Sequence, residues 1–547
     1  MSMTPGGAEY LDDSGPIETE SDHRDDNRKR LVAVGALLVG GAVVAGGAWA
    51  ATSFFATGSQ PAEALPDSTI AYFSVDLDPS GGQKIEAIKT LRKFPAFTDE
   101  IDLETDDDLR ERFFEEITKS GGCEGLDYAQ DVKPWLGSRA AMAAVDLGED
   151  EPTPVGVVQV TDADKAEDGV AALIETCDPA GEGATGTEPG TEPGTEPEVG
   201  GWVVDGDWLV LAETEEIAQQ VVDAADGATL AADAGFEQWT GEAGDDGFMS
   251  VYVAKAAAQY VEDAAGMGAM LGGVPTTGEE VPEQLQQMID DFDGMAATVR
   301  FDDGSVEIEY AMSNYQEDLT KFLESDAGVD MVGSLPDDTV AAFGLALKEG
   351  WADAMLDYIK SSVPDESAAI DEQLAQFEDE TGLAFPEDLE TLMGEGVTLS
   401  VGSGIDPDAI ANGGPGEVPV GMRINGDTDE IQAVLDKVAA LAGTELAELM
   451  QVSEGDGYTV FALQDDYRDA LEAGGDLGAS DDYAEVVEDG EAQSVLYVNF
   501  DADDDWLVRV TRDMPEVSDN VAPLSAFGVS GWVDGDVIHG LVKLTTD

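Results

Sequence analysis

Histidine is almost missing from this chain: His23 and His539 are the only two in 547 residues. That removes most acid–base chemistry near neutral pH, because no other unperturbed side chain titrates there. No nucleophile motif accompanies His539, which falls in a predicted strand beside Asp534-Gly535. Ser403 lies in Val401-Gly402-Ser403-Gly404, which lacks the first glycine of a nucleophile elbow. There is no His-Glu-x-x-His and no glycine-rich loop ending in Gly-Lys-Ser/Thr, so zincins and phosphate loops are excluded. Aromatic residues make up 7 %, too few to indicate a stacking surface for sugars. The chain reads as a non-enzyme with no cofactor and no dedicated metal site.

Positive charge is equally scarce, with 25 Lys+Arg against 118 Asp+Glu and a net charge of −93. Such a chain repels nucleic-acid phosphates and anionic headgroups, so nucleic acid is excluded as a partner. The acids are spread along the chain, as expected of a solvated surface with weak nonspecific cation binding. Asp501, Asp503 and Asp505 alternate like a calcium loop, but Trp506 replaces the turn glycine and Arg512 takes the final acidic position. Asn425, Asp427 and Asp429 stand where a strand passes into a predicted helix, which makes capping the simpler reading. Paired carboxylates could serve a hydrolase of cell-wall material, yet among 118 acids any spacing can be found.

One long uncharged run is present, residues 31–56, directly after Arg28-Lys29-Arg30. About 20 apolar residues cross a bilayer core, and flanking basic residues stay on the cytoplasmic side. The expectation is therefore a single-pass cell-membrane protein: an acidic disordered cytoplasmic tail (1–30), a transmembrane anchor (31–56), a linker (57–64) and an extracytoplasmic bulk. Ala48-Trp49-Ala50 also has the small-x-small form of a signal-peptide cleavage site, so cleavage stays open. Both remaining readings export the two cysteines, Cys123 and Cys177. An isolated pair in an oxidising compartment is expected to form a disulfide, and closing a 54-residue separation (177−123) is worth about 4 kcal/mol.

The exported part reads as two copies of one plan, 65–325 and 335–547. Leu65-Pro66-Asp67-Ser68-Thr69-Ile70-Ala71-Tyr72-Phe73 opens the first, and Leu335-Pro336-Asp337-Asp338-Thr339-Val340-Ala341-Ala342-Phe343 opens the second. Gly125-Leu126 to Leu136-Gly137 aligns without gaps on Gly382-Leu383 to Met393-Gly394, and Pro154-Val155-Gly156 matches Pro419-Val420-Gly421. Order kept through three matches marks an internal repeat. Periodicity predicts strands at 69–75, 140–146 and 155–161, helices at 163–176 and 215–225, and hairpins at 202–212, 295–312 and 527–544. Asp205-Gly206 suits a type I′ turn. Residues 180–199, with three Thr-Glu-Pro units, are too polar and proline-rich to pack and read as a flexible acidic loop. The Ala/Gly/Met-rich stretch 254–271 suits either core or a movable apolar cover. The fold class expected is α+β: a single N-terminal transmembrane helix, then two tandem α+β units with largely antiparallel sheets covered by helices on one face.

The layout resembles the uncharacterised actinobacterial envelope proteins grouped as DUF family 3352, a domain of unknown function. The resemblance rests on the 65–73 opening, Asp76-Leu77-Asp78-Pro79-Ser80 with Gln83-Lys84, Phe94-Pro95, and Asp131-Val132-Lys133-Pro134-Trp135-Leu136-Gly137. It implies a membrane-anchored exported protein and supplies no catalytic residues. The function expected is a non-enzymatic binding or scaffold module of the cell envelope, with an envelope protein or apolar ligand as partner. A carrier of lipid or another apolar ligand is the alternative.

Overall fold

The computed structural model describes residues 59–547 except 78–81, 101–106, 113, 115–125, 150, 177–199, 261–289, 303, 315–319, 324–326, 363–366, 406–416, 443–450, 456 and 489–491. Sixteen strands form one sheet. In chain order they are β1 (Thr69–Asp76), β2 (Leu136–Val145), β3 (Thr153–Val160), β4 (Gly201–Asp205), β5 (Trp208–Ala212), β6 (Met249–Ala254), β7 (Gly294–Asp302) and β8 (Ser305–Ser313). The second eight are β9 (Ala341–Ala346), β10 (Gly396–Val401), β11 (Val420–Ile424), β12 (Val452–Glu454), β13 (Thr459–Ala462), β14 (Ser494–Asn499), β15 (Leu524–Asp534) and β16 (Val537–Thr546).

Their spatial order is β12-β13-β11-β10-β9-β14-β15-β16-β8-β7-β6-β1-β2-β3-β5-β4. Read from either edge to the centre, the two halves follow the same sequence of strands. They meet where β16 lies antiparallel to β8, from Val537↔Ser313 to Thr545↔Ser305.

That pairing overturns the expectation of a separate sheet in each repeat. The final hairpin of each half leaves one unpaired outer strand, and exposed N–H and C=O rows are templates for pairing. Here the two outer strands satisfy each other. Periodicity reports which residues share a face but not which strand lies next door. The transmembrane helix is also not supported: among the described residues no helix is long and apolar enough to cross a membrane. Residues 31–56 themselves, with Arg28, Lys29 and Arg30, lie outside the described residues, as do Cys123 and Cys177 and the 180–199 loop.

Helices cover both faces of the sheet, not one. They are α1 (Gly82–Leu91), α2 (Pro95–Glu100), α3 (Ala163–Thr176), α4 (Glu215–Ala225), α5 (Ala234–Glu242), α6 (Ala327–Gly333) and α7 (Trp351–Ser362). Then come α8 (Ser367–Thr381), α9 (Glu387–Met393), α10 (Thr428–Ala442), α11 (Asp465–Ala473), α12 (Asp481–Val486), α13 (Ala502–Thr511) and α14 (Pro515–Val521). Local chemistry starts several of them. The Thr214 hydroxyl accepts from Ile217 N at 3.2 Å, and the Asp233 carboxylate accepts from Phe236 N at 2.9 Å. The turn between β4 and β5 is Gly206-Asp207, one residue later than expected, and of the two only Gly206 has a positive φ (58°). Glycine first is the II′ arrangement rather than I′.

One face carries Tyr72, Val157, Val210 and Tyr252 under α4 and α5, and Ala342, Val460, Val495 and Tyr497 under α11 and α12. On the opposite face α3 seals Leu209 and Val158, α1 seals Phe301, and α10 seals Val397 and Ile424.

Asp108 pins the segment leading to Trp135. Its carboxylate accepts from Arg110 Nε at 2.9 Å and Nη2 at 3.0 Å and from the Tyr128 hydroxyl at 3.0 Å, with Lys133 Nζ at 3.1 Å. Burial pushes the carboxyl up, but hydrogen bonds from Arg110, Lys133 and Tyr128 and the Arg110 charge outweigh it and hold the group at about 2, below the ordinary 3.8. A carboxyl lowered in the folded state stabilises above its unfolded pKa and loses that stabilisation as pH falls toward the folded value. The stability gap between the native chain and Asp108→Asn should therefore shrink from about pH 4 to about pH 2. Denaturation midpoints measured across that range check this; a gap that stays constant contradicts it.

Candidate functional site: an open apolar row

The register of every ladder places one apolar residue from each strand in a single row on the face under α1, α3 and α10. At its centre the row runs Leu399–Phe343–Leu496–Val529–Val542–Ile308, across β10, β9, β14, β15, β16 and β8. Outward from Leu399 come Met422, Phe461 and Val452. Outward from Ile308 come Val299, Met249 and Val75, then Ala140, Val158, Leu209 and Val204. Sixteen strands contribute sixteen apolar side chains. The ends of the row are roofed by α3 and α10.

The centre is open. Leu399 is 47 % exposed, Phe343 39 %, Leu496 36 % and Ile308 39 %. The chain neighbours of Phe343 and Leu496 on the opposite face, Ala342, Val495 and Tyr497, are at most 2 % exposed, and Thr398 and Ser400, the neighbours of Leu399, are polar and equally buried. The alternation is what a strand imposes, but on β9 and β14 both sets are apolar and only one is buried. Scattered exposed apolar residues are ordinary on a protein surface; a contiguous run over adjacent strands marks an interaction surface.

A difference between the halves explains the opening. After β1, α1 lies against β7, with Ala87 fully buried beside Phe248 and Phe301. After β9, α7 packs instead against α8 and α9. The Glu390 carboxylate accepts from Gly350 N at the start of α7, and Lys360 Nζ meets Asp371 of α8 at 2.5 Å. Leu356 is buried in this helical layer, while Met355 and Ile359 stay 40 % and 43 % exposed. α7 is thus held to its own layer and leaves Phe343 and Leu496 uncovered.

Most of the cations of the second half are already engaged within the chain. Lys360, Lys437, Arg468, Arg509 and Lys543 are each paired with a carboxylate of the same chain, at 2.5–3.0 Å. Arg423 is fully buried. Much of the acid excess faces solvent, as at Asp353 and Asp357 of α7.

The residues singled out in the sequence do not converge on a reactive centre. His539 is 8 % exposed on β16, its ring stacked on Trp532 at 5.1 Å and its Nε2 3.8 Å from a Glu242 carboxylate oxygen. The Ser403 hydroxyl donates to Asp338. Asp503 accepts from the backbone N–H of Gly404 (2.8 Å) and Ile405 (3.1 Å) and pairs with Arg509 at 2.7 Å, so it fastens a loop. Asp501 accepts from the Ser525 hydroxyl, and burial, with the charges of Asp547, Asp505 and Asp482, pushes its carboxyl up. Asp427 accepts from the N–H groups of Asp429 and Glu430 at the start of α10, a helix cap. Among the described residues no group of three or more His, Cys, Asp or Glu could hold a metal ion. Of the stretch 254–271, residues 254–260 are described and carry buried Ala257 and Ala258; the remainder lies outside.

The row itself escaped sequence reasoning. Each strand's alternation was legible, but a row exists only when fifteen registers are known. The sequence carries one signal for it: Phe343 and Leu496 lie in strands whose apolar residues do not alternate with polar ones, whereas Leu399 lies in the alternating Val397-Thr398-Leu399-Ser400-Val401.

Residues 31–441 match a family model described as "Protein of unknown function (DUF3352)". No curated protein and no solved structure matches the chain.

Proposed function

The chain belongs to the DUF3352 family of proteins of unknown function, and from that premise we propose that it is a non-enzymatic binding or scaffold module whose contact surface is the open apolar row. The observation that carries the reading is the uncovered set Leu399, Phe343 and Leu496 on three adjacent strands. Burying a Leu or Phe side chain fully contributes about 1.5–3 kcal/mol, so three such residues can anchor a partner without any reacting group. Rigid strands suit the role, because a site on a ladder is held in place before the partner arrives.

A neutral apolar dye such as Nile red tests it, since charge neither attracts nor repels the probe. The native chain should enhance its fluorescence, and the triple variant Phe343→Ser, Leu399→Ser, Leu496→Ser should bind it at least about tenfold more weakly. The three side chains are exposed, so the variant should keep its fold by circular dichroism. Equal dye binding by native and variant chains would remove the row from the function.

A further inference from the structure

Resting on the reading of the row as a contact surface, we infer that its occupant is a basic amphipathic helix from another protein, laid across the strands from β10 to β8. Three observations select it. The first is spacing. Adjacent strands are about 4.8 Å apart, so the six residues from Leu399 to Ile308 span about 24 Å. Apolar residues on one helix face recur every three or four positions, an advance of about 4.5–6 Å, and about sixteen helical residues cover 24 Å. A helix lying perpendicular to the strands therefore meets one floor residue with each turn.

The second is charge. The chain carries −93, and of the eight cations of the second half five are held by its own carboxylates and Arg423 is buried, leaving Lys348 and Arg512 exposed amid the acid excess. Asp353 and Asp357 are exposed on α7, Asp504 and Asp505 on α13, and Asp513, Glu516 and Asp519 in or just before α14. A partner with Lys and Arg flanking its apolar stripe is attracted, and like charge rejects acidic competitors. Self-repulsion disfavours a second copy of this chain, and the same repulsion disfavours anionic lipid. The third is polar satisfaction. The strands under the row already have ladder partners on both sides, so the floor offers no free backbone for an added strand, whereas a helix satisfies its own backbone.

The test uses the full chain and two synthetic helices of about eighteen residues, one with Leu on one face and Lys on the other, one with Glu in place of Lys. The Leu/Lys helix should bind and the Leu/Glu helix should not. The Phe343→Ser, Leu399→Ser, Leu496→Ser variant should bind the Leu/Lys helix at least about tenfold more weakly. A control with Ile85→Ser and Leu441→Ser, exposed apolar residues on α1 and α10 rather than on the strands of the row, should bind as the native chain does. Raising NaCl from about 0.1 M to about 1 M should weaken binding, because the screening length falls from about 10 Å to about 3 Å.

Equal binding by the triple variant would mean attraction by diffuse charge alone and would overturn the inference. So would tighter binding to phosphatidylglycerol vesicles than to the Leu/Lys helix, or a dimer by sedimentation that the triple variant abolishes. If Nile red binds at the row while the Leu/Lys helix does not, the helix is wrong and the contact surface stands. If neither binds there, the contact surface itself fails.

Discussion

Replacing Arg423 with methionine is expected to cost about 3–5 kcal/mol of stability, among the largest losses available from one substitution in this chain. Arg423 is fully buried on β11, and its guanidinium donates to carbonyls rather than to a carboxylate. Nη1 reaches Ser334 O and Oγ, both at 2.9 Å, while Nε and Nη2 reach Leu471 O at 3.1 and 2.6 Å. The Tyr458 ring lies 4.4 Å from the guanidinium carbon. Ser334 follows α6 directly and Leu471 sits in the last turn of α11, so one cation satisfies the orphan carbonyls of two helix ends. Burial depresses its pKa, but arginine starts so high that the charge remains.

Methionine keeps much of the volume but removes the cation, leaving Ser334 O with only the Gly475 N–H (3.0 Å) and Leu471 O with only the long Tyr458 hydroxyl contact (3.3 Å) in a dry place. Lysine should recover little, because an ammonium lacks the planar fork that reaches both helix ends. Chemical denaturation checks both variants. A methionine variant within about 1 kcal/mol of the native chain would show that the cage is dispensable.

Truncating Trp135 to alanine should cost a similar amount, about 3–5 kcal/mol. The indole is 1 % exposed among Val132, Ala166, Val170 and Leu209, and its Nε1 donates to Asp131 O at 2.7 Å. It occupies the space a side chain would take at Gly169 of α3, where an added Cβ would collide with the ring. The two positions should therefore couple. Gly169→Ala alone is expected to destabilise by more than about 1 kcal/mol despite alanine's better helix propensity, yet to be tolerated once Trp135 is Ala. Additive effects in that double-mutant cycle would contradict the packing described.

The same segment shows how much the sequence carries. Asp131-Val132-Lys133-Pro134-Trp135-Leu136-Gly137 is visible as a motif, and the helix at 163–176 and the hairpin around Gly206 stand where hydrophobic periodicity puts them. What the motif does is not visible, because Gly169 lies 34 residues from Trp135 (169−135) and only packing joins them. Arg423 is illegible for a related reason. A lone arginine in an apolar strand resembles a surface charge until the ends of α6 and α11 are seen to converge on it.

The continuous sheet and its open row belong to the same class of long-range facts. Each of the fifteen ladders is local or nearly so in what it demands, but their sum is not. The joint between β8 and β16 replaces two expected sheets by one. The exposure of Phe343 depends on a helix, α7, that packs against α9, where Glu390 accepts from Gly350 N, and is tied to α8 by Lys360. Neither is encoded in the period of any strand.

Hydroxyl-radical footprinting of the full chain, read residue by residue, tests the open row most directly. Phe343, Leu399 and Leu496 should label strongly while Tyr72, Val495 and Tyr497 stay protected. Protection of all six to the same depth would mean that the row is sealed within the fold, and no contact surface would exist there.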